Sequence, residues 1–142
     1  MAGLNPYLNY PGTTEEAFNF YKSVFGGDFA MLMRFKDTPE AAKLSAEEGE
    51  KIMHVSYPIK GTMLMATDAL ESMGQTIEHG NNYHLALSTD SKDEADKFFN
   101  GLAVGGTVEM PLMDTFWGAY FGMLKDKYGI KWMISYDKNP QQ

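Results

Sequence analysis

The chain has 142 residues and a formal net charge of −7. A chain of this length is sufficient for one domain with a closed hydrophobic core. The acidic balance argues against nucleic-acid binding, because no basic stripe is available to neutralise phosphates. Since the sequence contains no cysteine, disulfides, thiolate nucleophiles and zinc–sulfur sites are excluded.

The sequence has no recognisable targeting or membrane-spanning segment. Its N-terminal stretch lacks the basic region and apolar core that a signal peptide needs. No apolar run approaches the roughly 20 residues that a helix needs to cross a bilayer. We therefore expect a cytoplasmic protein with no nucleic-acid or membrane partner.

One arrangement of strand, turn, amphipathic helix and double glycine occurs twice, at residues 7–27 and 83–106. Strand-like sequence follows each copy. Several positions of the two helices match at a constant offset, which favours a tandem repeat over a chance match of two amphipathic helices. These matches are Glu16-Ala17 with Glu94-Ala95 and Phe20-Tyr21 with Phe98-Phe99.

The first module is predicted to contain one main helix and four strands. A strand over 4–10 ends at Pro11-Gly12, and a helix capped by Thr13 or Thr14 continues to Gly26-Gly27. Alternating apolar residues predict further strands over 29–35, 51–59 and 62–67. The polar, acidic stretch 38–50 is interpreted as a surface excursion that could lie over a pocket.

The second module repeats this order after a linker over 68–82 that has no clean periodicity. Its first strand is predicted over 83–89, and Asp90 or Ser91 can cap the helix that follows. Three more strands are predicted over 107–113, 118–125 and 130–136. The chain should therefore contain two modules with the order βαβββ.

This element order, with FYKSVFGG closing the first helix, resembles the vicinal oxygen chelate superfamily, which includes glyoxalase I, bleomycin-resistance proteins and extradiol dioxygenases. Two further segments resemble its PhnB-like branch: IMHVSYPIKGTMLMATD and MPLMDTFWGAYFGMLKDKYGIKWMIS. The resemblance extends from Asn5 to Ser135. It implies an α+β, glyoxalase-like fold in which two tandem βαβββ modules form paired half-cup sheets. We expect one domain over 1–142, with module one at about 4–68 and module two at about 83–136.

In such a fold the ligand cavity lies on the sheet face away from the helices. Strand alternation predicts which side chains share that face, and two strands combine a histidine with small neighbours. Such a face offers both room and polar groups. These candidates are His54 and Ser56 in the first module and His84, Ala86 and Ser88 in the second.

Phe116 and Trp117, in the segment MDTFWG, are candidates for a wall of the cavity. The alternative is a turn in which Asp114 and Thr115 bond their own backbone while the aromatic rings pack as a lid or core. The sequence leaves both interpretations open.

In glyoxalase-type members, four inward positions bind a divalent metal ion. The resemblance implies that these positions lie near Asn5 and at His54, His84 and Met133. Met133 stands where a glutamate is usual, and a thioether is a poor ligand for a hard or borderline ion. Three alternatives follow: weak metal binding by two imidazoles and water, histidines with ordinary hydrogen-bond partners, or a metal completed by another carboxylate such as Glu109 or one from a partner chain.

Two functions are compatible with these residues. We favour a small-molecule-binding protein of the glyoxalase/bleomycin-resistance type with an unknown ligand, because the metal-ligand set is incomplete. The alternative is a divalent-metal-dependent lyase, isomerase or dioxygenase that uses His54 and His84. The resemblance also implies a homodimer, whose cavities could lie within one chain or between two.

Overall fold

The computed structural model of the chain describes residues 3–138. The chain divides into two compact units, Met1–Glu78 (unit 1) and His79–Gln142 (unit 2). Within the described residues, each unit has one four-stranded sheet and one twelve-residue helix. The predicted α+β class and the two βαβββ modules are therefore confirmed, whereas the assignment of both modules to one domain stays a prediction.

Unit 1 contains a mixed sheet in the strand order β1-β4-β3-β2. β1 pairs parallel with β4, and the other two pairs are antiparallel. Its elements are β1 (Tyr7–Tyr10), α1 (Thr14–Phe25), β2 (Met31–Arg34), a short helix α2 (Ala46–Gly49), β3 (Ile52–Ile59) and β4 (Thr62–Asp68).

The core of unit 1 lies between α1 and one face of the sheet. Phe18 of α1 contacts Tyr10 and Tyr57 edge-on, and all three side chains are buried. The Tyr10 and Tyr21 hydroxyls share a hydrogen bond of 2.9 Å. Gly26 ends the helix with a φ of 79°, a conformation that glycine adopts without the steric cost of a side chain.

The excursion over 38–50 forms 3-10 turns and α2 rather than one regular helix. The Ser45 hydroxyl caps α2 by accepting the amide of Glu48 at 3.1 Å. Glu47 and Glu50 border a cavity of about 360 Å³, which Arg34 and Asp68 also line. The excursion thus lies beside a charged pocket in unit 1.

Unit 2 has the corresponding sheet order, β5-β8-β7-β6, with β5 parallel to β8 and the other pairs antiparallel. The Ser91 hydroxyl caps its helix by accepting the amide of Glu94 at 3.0 Å. Buried apolar residues of the helix and sheet form its core. The elements are β5 (Leu85–Ser88), α3 (Lys92–Ala103), β6 (Thr107–Asp114), β7 (Ala119–Lys125) and β8 (Lys131–Asp137).

Three predicted strands are clearly shorter in the structure, and β1 begins at Tyr7 rather than at residue 4. β2 ends at Arg34 because buried Phe35 begins a 3-10 turn. β5 begins at Leu85, so His84 precedes the strand and does not belong to it. The Lys131 amide donates to the Tyr83 hydroxyl at 3.2 Å, and the backbone ladder between β5 and β8 begins after it.

No helix in the described part of the chain is both long enough and apolar enough to cross a membrane.

Candidate functional site

Strand β3 separates the two faces of the unit 1 sheet. Val55 and Tyr57 are buried on the side of α1, whereas His54 and Ser56 lie on the opposite, helix-free face. The His54 ring is tilted against the Tyr7 ring, with centroids 5.8 Å apart. His54 and Ser56 therefore share the face that the alternation predicts for a ligand.

Four methionines also lie on the helix-free face of unit 1. The strand register places Met33 beside His54, Met31 and Met65 on either side of Ser56, and Met63 beside Pro58. Thioether side chains adapt their shape to apolar surfaces. This face thus combines one imidazole with a deformable apolar lining.

Asn5 precedes β1 and is exposed. Its side-chain oxygen accepts the amide of Met63 at 3.0 Å, which holds the start of β4. This contact gives Asn5 a structural role at the sheet edge.

The helix-free face of unit 2 carries the remaining strand candidates. On β5, Leu87 is buried, whereas Ala86 and Ser88 are exposed on the other face. Met133 of β8 pairs with Ala86, and Ser135 pairs with Ser88. The neighbours of Met133 on this face therefore include small side chains.

A charged cluster lies on the same face. One carboxylate oxygen of Glu109 is 3.2 Å from Nε2 of His84, and the other accepts a hydrogen bond from the ammonium of Lys131. The sheet order places β7 and β8 between β6 and β5, so this contact spans the helix-free face. We call His84, Glu109 and Lys131 the Glu109 cluster.

The position of Glu109 depends on an irregularity in β6. The register between β6 and β7 shifts between Val108 and Met110, and Glu109 has no cross-strand partner in that register. A bulge of this kind changes the direction of the side chain that it contains. Lys131, at the start of β8, alternates with buried Trp132 and therefore lies on the face of Met133.

The electrostatics of the cluster keep Glu109 ionised. The hydrogen bond from the Lys131 ammonium lowers the pKa of Glu109 below its ordinary value of 4.5; burial opposes this change, and the contact with His84 adds to it. An ionised carboxylate only accepts hydrogen bonds, so the His84 Nε2–H must donate to Glu109. Lys131 is itself well enclosed, with 9% of its side chain exposed.

Phe116 and Trp117 lie in the turn between β6 and β7. The Thr115 hydroxyl closes this turn by donating to the Ala119 carbonyl at 2.7 Å. Phe116 is 98% exposed and Trp117 is 55% exposed, with their rings edge-to-face at 5.0 Å. The aromatic pair therefore does not belong to the core of unit 2.

Asp114 differs from its expected role as a turn residue. Its carboxylate pairs with Lys92, at the start of α3, and with Lys138, just after β8. The side-chain contacts with the turn backbone come from Thr115 and not from Asp114.

Comparison with known proteins identifies the family of this chain. A family model described as 3-demethylubiquinone-9 3-methyltransferase matches residues 2–135. The chain belongs to this family. The chain is also similar to protein PA1353 from Pseudomonas aeruginosa, with 36% identity, a TM-score of 0.85, and coverage of 98% of this chain and 100% of that one.

More distant structures show the shared fold. A putative 3-demethylubiquinone-9 3-methyltransferase, PhnB protein, from Bacillus cereus is 24% identical, with a TM-score of 0.72 and coverage of 95% of this chain and 99% of that one. A glyoxalase/bleomycin resistance protein from Albidiferax ferrireducens T118 is 19% identical, with a TM-score of 0.64 and coverage of 96% and 97%. The predicted PhnB-like family is therefore confirmed, and the glyoxalase/bleomycin resistance protein shows the same fold.

The metal site that this superfamily implies does not fit the residues present. Among residues 3–138, no group of three or more histidine, cysteine, aspartate or glutamate side chains could hold a metal ion. Met133 offers a thioether, and the Glu109 carboxylate is engaged by Lys131. His84 and Glu109 are adjacent, but they do not form a complete donor set.

Lys131 is the functional candidate that the sequence analysis missed. The pattern did contain a signal, because Lys131 and Met133 are two residues apart on β8 and therefore lie on the same face of the sheet. A lysine on a largely apolar face requires a carboxylate partner. Glu109 was considered only as a metal ligand, and its pairing with this lysine was not predicted.

Proposed function

We propose that the protein binds a compact, partly aromatic small molecule on the helix-free faces of its sheets, as a binding protein of the glyoxalase/bleomycin-resistance type. The observation that carries the proposal is the Glu109 cluster beside small side chains in unit 2. Ligand pockets typically combine a few placed polar groups with apolar walls. Ala86, Ser88 and Met133 provide such a wall beside the cluster.

The helix-free face of unit 1 supports the same proposal. Its four methionines are adaptable in shape, and His54 and Ser56 supply polar groups among them.

In unit 2, the exposed rings of Phe116 and Trp117 are proposed as a further wall for the ligand, because exposed aromatic side chains offer a large contact area.

A metal-dependent lyase, isomerase or dioxygenase is the second candidate. The 3.2 Å contact between His84 and Glu109 favours it, since an imidazole and a carboxylate are both common metal ligands. The hydrogen bond between Lys131 and Glu109 weighs against it. We therefore place it after metal-free binding.

Methyl transfer, named in the description of the family, is not part of the proposal. A nucleotide-derived cofactor is typically held by a glycine-rich loop between a strand and a helix. The turns before α1 and α3 read YPGTT and TDS, which do not match such a loop.

Homodimerisation and a cytoplasmic location are also proposals. The exposed apolar side chains on strands β2 and β6, Leu32 and Val108 among them, are compatible with a partner surface. Light scattering at micromolar concentration should give the mass of a dimer. The mass of a single chain would contradict this part of the proposal.

A ligand screen followed by NMR tests the main proposal. Compact aromatic compounds should shift the amide signals of Ala86, Ser88 and Met133. Substitution Ala86→Trp should abolish these shifts by filling the face, whereas Ala42→Trp, on the exposed excursion, should leave them unchanged. Shifts confined to the cavity beside Arg34 and Asp68 would place the ligand elsewhere and contradict the proposal.

A further inference from the structure

We infer that Lys131 takes the place of a metal ion on the helix-free face of unit 2, so that the Glu109 cluster binds its ligand without a metal. Of the four metal-binding positions that the resemblance implies, those of His84 and Met133 belong to unit 2, where Lys131 provides a covalently attached positive charge. The inference deepens the proposed function by giving that face a chemical mode of recognition. It depends on the proposed function only for the ligand itself.

Both carboxylate oxygens of Glu109 are already engaged. Its two oxygens contact two different side chains, His84 Nε2 and Lys131 Nζ. A divalent ion that displaced His84 from one oxygen would stand close to the ammonium on the other. Like charges at such short separations repel each other.

Lys131 occupies an enclosed position. Its side chain is 9% exposed, and Lys131 is the first residue of β8. Without Glu109, the ammonium would be left without its carboxylate partner in an enclosed position, which is strongly unfavourable. The ion pair between Lys131 and Glu109 is therefore retained, and a metal ion does not displace the ammonium.

The two ring nitrogens of His84 have different roles. Because ionised Glu109 only accepts, the Nε2 of His84 carries the proton that is shared with it. The Nδ1 atom has no hydrogen-bond partner among residues 3–138 and, in the neutral ring, is an acceptor. The matching ligand class is a compact phenol or enol, whose hydroxyl can donate to this nitrogen.

Imidazole ¹⁵N NMR tests the arrangement of the cluster directly. In the wild type, the neutral form of His84 should be the Nε2–H tautomer. Glu109→Ala should convert it to a mixture of tautomers, while the signals of His54 remain unchanged as the internal control. A wild-type His84 that is mainly the Nδ1–H tautomer would overturn the inference.

Metal titration tests the replacement of the ion. Calorimetry with zinc, nickel and manganese should detect no stoichiometric site in the wild type. Lys131→Met should gain affinity for at least one ion by about tenfold or more, the scale on which groups around a ligand alter metal binding. The gain should disappear in the Lys131→Met, Glu109→Gln double variant.

Matched variants keep this test decisive. Lys131→Arg retains the positive charge and should behave as the wild type, whereas His54→Asn in the Lys131→Met background should not remove the gain. Circular dichroism confirms that each variant is folded, and if Lys131→Met does not fold, Lys131→Gln replaces it. Tight wild-type binding that is lost in His84→Asn, or no gain on removing the charge, would overturn the inference.

Phenol and anisole test the ligand class, because anisole has the same ring without a hydroxyl donor. Phenol should shift the His84 Nδ1 resonance, and anisole should not. No shift with phenol, or equal shifts with both, would overturn the assigned class. Since the tautomer and metal readouts need no ligand, their failure is distinguishable from failure of the proposed small-molecule binding.

Discussion

Asp68 at the end of β4 accepts the backbone amide of Thr14 at the start of α1, at a distance of 2.9 Å. The second carboxylate oxygen accepts the Ile52 amide at 2.8 Å. Asp68 is 2% exposed and Thr14 is fully buried. One side chain thus joins the helix of unit 1 to two strands of its sheet.

Replacing Asp68 with alanine should destabilise the protein by about 2–5 kcal/mol, because two enclosed amides lose their acceptor. Urea unfolding followed by circular dichroism measures the change. Asp137→Asn, at an exposed position at the end of β8, is the control and should have little effect. Equal stabilities of the two variants would show that Asp68 does not have this role.

Gly122 should not tolerate a side chain. A Cβ at this position would lie 2.8 Å from the ring of Phe99 and 2.9 Å from the amide nitrogen of Leu112. We expect Gly122→Ala to cost about 1–3 kcal/mol through overpacking between α3 and the sheet. Gly80→Ala, where the nearest atom is 3.5 Å away, is the control and should be nearly neutral. Thermal unfolding of both variants measures the difference.

Stability should fall at alkaline pH because of Tyr57. Burial, with a smaller contribution from the charge of Asp28, raises the pKa of Tyr57 from 10.0 to about 12. The folded state therefore holds this proton more tightly than the unfolded state. Its contribution is complete below pH 10 and is lost as the pH rises towards 12.

Comparison of the wild type with Tyr57→Phe isolates this effect. Near neutral pH, the wild type should be more stable by about 1 kcal/mol, because its hydroxyl donates to the Gly26 carbonyl. Between pH 10 and 12 the difference should fall by up to about 1.4 kcal/mol per pH unit, so that Tyr57→Phe becomes the more stable protein towards pH 12. A difference that is independent of pH would contradict the raised pKa.

The Glu109 cluster should give the opposite dependence at acidic pH. The pKa of Glu109 is lowered mainly by the hydrogen bond from Lys131, so the folded state favours the ionised carboxylate. Its contribution is present above pH 4.5 and is lost as the pH falls through the lowered pKa. The stability difference between wild type and Glu109→Gln should accordingly decrease in acid.

The control for this prediction is the same substitution in the Lys131→Met background. There the main cause of the lowered pKa is absent, so Glu109→Gln should have a smaller pH-dependent effect. Urea unfolding over a series of pH values measures both differences. Identical pH dependence in both backgrounds would assign the effect to a group other than Lys131.

Local sequence patterns were sufficient to predict the elements of this fold. The apolar spacing of α1 and the glycines after Phe25 correctly predict its end, and alternation on β3 correctly separates Val55 from His54. These features depend on backbone geometry within a few residues. The same reasoning predicts the βαβββ order of both modules.

The Glu109 cluster could not be predicted in this way. Its central contact crosses the sheet, and the side chain of Glu109 is placed by a register shift that regular alternation does not encode. His84 also precedes its strand, because the Lys131 amide donates its hydrogen bond to the Tyr83 hydroxyl. Tertiary pairing, rather than local pattern, thus determines this part of the candidate site.

The distribution of the two tryptophans allows the two units to be followed separately. Trp132 is buried and donates its indole N–H to Asp126 at 2.9 Å, while Trp117 is largely accessible, and both belong to unit 2. Since the chain has no other tryptophan, selectively excited fluorescence monitors unit 2 alone. Circular dichroism monitors both units, so coincident curves from the two signals would mean that the halves of the chain unfold cooperatively.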